Sequence, residues 1–304
     1  MKFNKIVAVD PTGIRPWAIE ALKKFTSGEI QVFSDIPPSD EEILQRIGDA
    51  ECVLVSWNTR LSPRVMGEAP KLRYVGMCCS LFDEASSNVH IPTARQRNIE
   101  VRGIYHYGDE GMIEFILAEL IRLAKGIGEN QWQDEPVELY KRKLGIIGLG
   151  TTGQMLAQRA RGFNMDLYYY SRSRKYGLEE GGMKYLPLPE LLREVEIVSL
   201  HLPRNTRLMD QKEFDLLGDN KILVNTSLGL TFSKTPFLNW VERKGNFAIL
   251  DGVGMGPHKE EFETYDNIIL TPIVSGWTLE AKDRLSQKVI ENIHSYMNSY
   301  QVVE

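Results

Sequence analysis

Leu144-Gly145-Ile146-Ile147-Gly148-Leu149-Gly150-Thr151-Thr152-Gly153-Gln154 decides how this chain folds. Its first four residues are apolar or small and read as a buried strand. Three glycines follow in GxGxxG spacing, and Met155-Leu156-Ala157-Gln158-Arg159-Ala160 then opens a helix. Each glycine meets a separate need: a tight turn, room for a pyrophosphate to approach the backbone, and close packing of helix on strand. The free N–H groups and positive dipole end of the helix face the phosphates. Glycine-rich turns are common, so the spacing alone says little. With a strand before it and a helix after it, the stretch reads as a dinucleotide site built on Gly148, Gly150, Thr151, Thr152 and Gly153.

The end of the next strand, Asp166-Leu167-Tyr168-Tyr169-Tyr170, chooses between dinucleotides. NAD-preferring versions carry an acidic residue about 20 residues along, which grips the ribose 2′-hydroxyl. Here that slot holds Ser171, followed by Arg172, Ser173 and Arg174. A carboxylate would repel the 2′-phosphate of NADP, whereas a hydroxyl and two guanidiniums would bind it. A solvated basic turn is the alternative reading. The expected cofactor is NADP(H) rather than NAD(H).

A length of 304 residues accommodates two domains, each with its own core. Apolar content of 42% and charged content of 25% are those of a soluble globular protein. A net charge of −5 with scattered basic residues leaves no electrostatic footprint for nucleic acid. No apolar run is long enough to span a membrane, and the opening residues read as a strand rather than a signal peptide. Cys78 and Cys79 are adjacent at the end of an apolar run and Cys52 stands alone, which gives neither a disulfide framework nor metal-ligand spacing. The expectations are a cytoplasmic protein with reduced, buried cysteines, no metal, and a small-molecule substrate as its partner.

Strands are predicted over residues 5–10, 30–33, 52–56 and 72–78, and helices over 16–25, 39–48 (Ser39 as N-cap) and 62–67. A helix is predicted over 111–125 and a polar connector over 126–143. Strands follow at 166–170, 196–200, 221–225, 247–251 and 267–270, then a helix from Thr278 to about Tyr300. Strands alternating with helices argue for parallel sheets. The fingerprint strand is about the sixth, so a complete α/β unit precedes it. The architecture expected is α/β with two Rossmann-like domains. Residues 1–108 plus 279–304 make a flavodoxin-like substrate domain, and residues 109–278 a doubly wound, parallel-sheet dinucleotide-binding domain. A cleft between domains is the natural substrate site.

These blocks resemble the D-isomer-specific 2-hydroxyacid dehydrogenases, the family of glyoxylate/hydroxypyruvate reductases and phosphoglycerate dehydrogenase, over nearly the whole chain. The resemblance rests on Ala118-Glu119, on residues 144–157, and on Glu196-Ile197-Val198-Ser199-Leu200-His201-Leu202-Pro203-Arg204-Asn205-Thr206. Ile222-Leu223-Val224-Asn225-Thr226-Ser227, Ala248-Ile249-Leu250-Asp251 and Leu270-Thr271-Pro272 continue it in order. It implies that Leu202, Pro203 and Thr206 lie beside the nicotinamide ribose, that Thr226 and Ser227 line the cofactor channel, and that Asp251 faces the carboxamide. It also implies a homodimer, although the segment between Glu119 and Trp132 reads as shorter than in relatives and leaves the subunit count open.

Family members handle a 2-keto acid with an arginine, a glutamate and a histidine. By the same resemblance those three slots hold Leu228, Gly256 and Ile273. Losing the guanidinium removes a bidentate grip on carboxylate. Losing the imidazole removes a general acid, worth about 10²–10⁴ in rate. Leucine also stands at Leu81, where relatives carry a carboxylate-binding glycine. Tyr105 and His106 are the substitute proton donors, with hinge packing as the other reading of that loop. His258 reads as a surface residue, His90, His201 and His294 as structural or binding residues, and Trp277 as a pocket wall or packing group.

The reading favours an NADPH-dependent reductase acting on an uncharged or non-carboxylate acceptor such as an imine or alkene, since the cofactor brings the hydride chemistry itself. The alternative is a catalytically inactive NADP(H)-binding sensor or scaffold. Ordinary dehydrogenase activity through relocated residues is a third reading.

Overall fold

The computed structural model describes residues 2–204 and 206–299. Asn205 and the expected helix end at Tyr300, with the tail after it, lie outside the described residues. The chain divides into two compact units, Met1–Tyr107 with Thr278–Glu304, and Gly108–Trp277.

The first unit runs β1 (Ile6–Ala8), α1 (Pro16–Leu22, continued by a 3₁₀ turn at Lys23–Phe25), β2 (Ile30–Val32), α2 (Asp40–Ile47), β3 (Cys52–Val55), α3 (Pro63–Glu68), β4 (Tyr74–Met77), α4 (Ile91–Gln96) and β5 (Glu100–Arg102). The strands pair in parallel in the order β2-β1-β3-β4-β5, the flavodoxin-like arrangement. Val7, Val53 and Val75 pack in one buried cluster with Ile43 and Ile47 of α2. Ser39 caps α2 by accepting the Glu42 N–H, and three acidic residues fill the first turn, where the helix dipole favours them.

The chain returns to this unit through its last helix, Leu279–Ser299. Tyr296 stacks on Phe3 at 5.7 Å between centroids and lies 4.7 Å from the Tyr74 ring. Asn292 donates to the Gly103 carbonyl, and Arg102 donates to that of Asn292.

The second unit begins with α5 (Asp109–Lys125) and an irregular connector that buries Trp132 and Leu139. It continues β6 (Lys143–Ile147), α6 (Thr151–Gly162), β7 (Asp166–Tyr170), α7 (Tyr176–Glu179), β8 (Lys184–Tyr185), α8 (Leu188–Glu194), β9 (Ile197–Leu200), α9 (Gln211–Leu217), β10 (Ile222–Asn225), α10 (Lys234–Val241), β11 (Phe247–Leu250), α11 (Lys259–Phe262) and β12 (Ile268–Leu270). Seven parallel strands lie in the order β12-β11-β10-β9-β6-β7-β8. Both faces of the sheet are covered, which is why its central strands are mostly apolar. Leu144, Ile146, Ile222 and Val224 face the cluster under α5 and α6. Ile147, Val198, Leu223 and Leu250 face the one under α8, α9 and α10. The chain order reverses between β6 and β9, so the ligand crevice of such a sheet opens at the carboxyl ends of those two strands.

Several element ends differ by a few residues from those the sequence predicts, among them β1, β4 and α5, and one difference bears on the site. Helix α6 begins at Thr151, not Met155, so Gly153 lies inside its first turn and Gly150 is its N-cap.

Candidate functional site

The turn between β6 and α6 is fixed by backbone contacts. Gly148 has φ +94°, and its amide donates to the Tyr170 carbonyl at 2.9 Å. A Cβ at Gly148 would lie 2.1 Å from the His201 carbonyl oxygen, and one at Gly153 would lie 2.3 Å from that of Gly148. Those two glycines therefore serve the fold, letting the turn nest against the strand end of β9. Gly150 differs: nothing stands within 4 Å of where its Cβ would be. Its side bounds a cradle that a side chain would fill. No side chain caps α6, and its first turn carries no acidic residue. The Thr151, Thr152 and Gly153 N–H groups, which a helix cannot satisfy internally, have no protein partner among the described residues. An uncapped helix start beside a bare glycine fits a dinucleotide pyrophosphate.

Beyond β7, Ser171 donates to the Ser173 carbonyl at 2.6 Å. Arg172 is exposed and has no hydrogen bond or ion pair among the described residues. Arg174, expected to act beside it, is already engaged by Glu179 through two charge-assisted bonds of 2.8 and 2.6 Å. That pairing holds the Glu179 carboxyl down at about 2.

At the end of β9 the His201 amide donates to Ile147 across the switch point at 2.8 Å, and its Nε2 lies 2.9 Å from Ser199 Oγ. Burial depresses the imidazole to about 4, so it is neutral at physiological pH. The Leu202 amide donates to Ser227 Oγ, which itself donates to the Leu200 carbonyl. Ser227 thus ties the β9 loop to the β10 loop. Leu202 is half-buried and Pro203 exposed, and a turn joins the Thr206 amide to the Pro203 carbonyl. Thr226 is buried, and its Oγ1 has no partner among the described residues.

The loops after β10, β11 and β12 are held by two buried side chains. Asn225 donates to the carbonyls of Gly229 and Gly254 and accepts from Thr231 Oγ1 and the Ser227 amide. Asp251 accepts the Gly254 and Val253 amides on one oxygen and the Ser275 amide and hydroxyl on the other. A carboxylate offers about four acceptor positions, so Asp251, expected to face a carboxamide, is saturated inside the protein. The sequence pattern marks Asn225 only as the end of a strand. Its partners lie up to 29 residues away, and no local pattern reveals them.

On these loops stand Leu228, Gly256 and Ile273. The Gly229 amide donates to Val253 and the Gly252 amide to Ile273, so Leu228 and Ile273 flank one shared segment. Leu228 is 40% exposed and Ile273 62% exposed. Gly256 has φ +58°, and a Cβ there would lie 3.7 Å from Leu230.

Tyr105 and His106 belong to the first unit. The Tyr105 hydroxyl donates to the Leu81 carbonyl and its ring packs edge-on against Phe82. His106 is exposed at φ +57°. His90 caps α4 by accepting the Thr93 amide. His258, expected at the surface, is half-buried with its ring 5.6 Å from Phe262. Trp277 is half-buried, closing a turn onto Val274. All three cysteines are buried and free. Among the described residues no helix is long and apolar enough to cross a membrane.

Comparison with known proteins agrees with this geometry. The family model for the D-isomer specific 2-hydroxyacid dehydrogenase NAD binding domain matches residues 112–275, more than half of the chain. A glyoxylate reductase of Pyrococcus furiosus is 28% identical over 84% of this chain and 82% of its own length. A hydroxypyruvate reductase of Blautia hydrogenotrophica is 26% identical over 96% of this chain and 97% of its own. Among solved structures, an acyclic imino acid reductase (Bsp5) in complex with NADPH and D-Arg superposes with a TM-score of 0.79 at 24% identity, covering 97% of each chain. The chain belongs to the D-isomer-specific 2-hydroxyacid dehydrogenase family, whose members are NAD(P)-dependent oxidoreductases of small molecules.

Proposed function

We propose that this protein is an NADPH-dependent reductase whose acceptor is uncharged or lacks a carboxylate, an imine or an activated alkene. The observation that carries this reading is the display of Leu228 and Ile273, two exposed apolar side chains on hydrogen-bonded neighbouring loops, with Gly256 nearby. None of the three can grip a carboxylate or deliver a proton. The named relatives are glyoxylate and hydroxypyruvate reductases, so the acceptor is where this chain would part from them. The fold itself also occurs in a reductase of imino acids.

In this reading the Thr151, Thr152 and Gly153 amides hold the pyrophosphate beside Gly150. Ser171, Arg172 and Ser173 take the 2′-phosphate, which selects NADP(H) over NAD(H). Leu202, Pro203, Thr206, Thr226 and Ser227 line the ribose and nicotinamide end, with Asp251 holding their loops in place. When bound, the dinucleotide supplies the hydride. An imine that arrives protonated needs no general acid from the chain, and for other acceptors Tyr105 and His106 are the donors to test.

The experiment is NADPH oxidation against cyclic imines, activated alkenes, glyoxylate, hydroxypyruvate and pyruvate. Turnover confined to the first two classes is expected, and robust glyoxylate reduction would refute the acceptor assignment. Arg172→Asp is expected to weaken NADPH binding by about tenfold or more with little effect on NADH.

A further inference from the structure

We infer that Arg174 is not a phosphate ligand but the strut that shapes the turn after β7, and that Glu179 and Tyr169 set dinucleotide selectivity from beneath that turn. The inference rests on the reading above that Arg172 meets a 2′-phosphate.

The turn spans residues 171–175 and both its ends are anchored. Tyr170 closes β7 in the sheet, paired with Ile147 of β6. At the other end the Lys175 amide donates to the Tyr169 hydroxyl at 2.8 Å, and that hydroxyl donates to Glu179 Oε1 at 2.8 Å. Arg174 closes the circuit with its fork on the same carboxylate. Its guanidinium carbon lies 4.9 Å from the Tyr176 ring centroid and 5.1 Å from that of Tyr185. Tyr185 in turn meets Tyr169 edge-on at 5.4 Å.

The guanidinium has committed two of its five N–H donors, the pair that forms its bidentate fork, and packs beside two rings. Turning that fork onto a phosphate would mean breaking both charge-assisted bonds and leaving the Glu179 carboxylate unneutralised next to another anion. Arg172, with no partner among the described residues, has no such cost. Tyr169 is fully buried and Glu179 is 19% exposed in its side chain, so the anchor is firmer than the turn it supports. Arg174, Glu179 and Tyr169 are therefore positioning residues, acting on the dinucleotide through where they place Ser171, Arg172 and Ser173.

The test is a double-mutant cycle on the full chain: Arg174→Met, Glu179→Gln and the pair together, with Tyr169→Phe and Arg172→Met alongside. NADPH and NADH dissociation constants are read by nicotinamide fluorescence at about 0.3 M salt, where long-range charge effects are screened, together with Tm. Arg174→Met, Glu179→Gln and Tyr169→Phe should each weaken NADPH about five- to tenfold while NADH changes less than about twofold. The double variant should be no worse than either single one.

Tightening by Glu179→Gln with weakening by Arg174→Met would overturn the inference, because it marks Arg174 as a ligand that Glu179 holds back. Equal losses for NADPH and NADH, or no effect at all, would also overturn it. Tyr169→Phe keeps the test alive if a charged-pair variant fails to fold, since only one hydroxyl is removed. Arg172→Met separately tests the underlying reading: if it leaves NADPH affinity intact, the 2′-phosphate assignment fails whatever the cycle shows.

Discussion

The turn after β6 and the loops after β10, β11 and β12 stand at the same end of one sheet, yet they are built on opposite plans. In the turn, main chain meets main chain: Gly148 and Gly153 are shaped by neighbouring carbonyls, and the groups left over for a ligand are amides. In the loops, polar side chains do the joining. Asn225 and Asp251 are wholly consumed inside the protein, and the exposed positions Leu228 and Ile273 carry hydrocarbon. A site that grips an unvarying pyrophosphate can be made of backbone and so tolerates little change. A site that meets a variable acceptor is made of replaceable side chains mounted on a stiff frame.

The contrast can be broken most forcefully at Gly148. Gly148→Ala puts a Cβ at φ +94° and 2.1 Å from a carbonyl oxygen, and the expected loss is about 4 kcal/mol of folding stability. Urea unfolding gives the number, and a loss below about 1 kcal/mol would mean the turn is free to rearrange. Next is Asp251→Asn, which keeps the size but turns an NH₂ toward donors. A cost of about 3 kcal/mol is expected, read by the same method, and a nearly neutral result would mean the loop frame does not depend on this carboxylate.

A smaller, pH-dependent effect belongs to His201. Its folded value of about 4 lies below the ordinary 6.5, so the unfolded chain takes up a proton that the folded chain refuses. Stability is unaffected above that ordinary value and falls as pH drops from about 6.5 toward 4, by about 2.5 kcal/mol at pH 4.5. Comparison with His201→Gln across that range isolates the contribution; parallel pH profiles would rule it out. The smallest folding effect is expected two positions beyond Gly148, at Gly150→Ala. The open space at its side predicts a stability change within about 0.5 kcal/mol, alongside at least about a tenfold loss of dinucleotide affinity, measured by titration. If affinity is kept, the cradle is not where the pyrophosphate lies.

The strands were legible wherever an apolar run met a turn signal, as at Asp166–Tyr170, because burial on both faces writes itself into composition. The start of α6, Thr151, lies four residues before the Met155 at which the sequence pattern places it. Glycines lower helix propensity, but Gly153 sits in the first turn because a side chain there would strike the Gly148 carbonyl and Ile146 of β6. Short pieces such as β8, two residues long, and α4, capped by a histidine, carry no periodic signal. In the candidate site, the glycine spacing and the basic turn could be read locally. The engagement of Arg174 could not, since its partner lies five residues on across a turn. Nor could the saturation of Asp251, half of whose donors come from Ser275, 24 residues later. Which polar groups are already spent is a three-dimensional property, and it changed the roles given to both residues.

The return of the last helix to the first unit has a consequence for biosynthesis. Tyr296, which packs on Phe3 and Tyr74, leaves the ribosome only after the whole of Gly108–Trp277 has been made. At about 5–20 residues per second the nascent first unit waits roughly 10–40 s for that aromatic partner. The contiguous second unit needs no such late arrival, so the unit begun second can mature before the unit begun first.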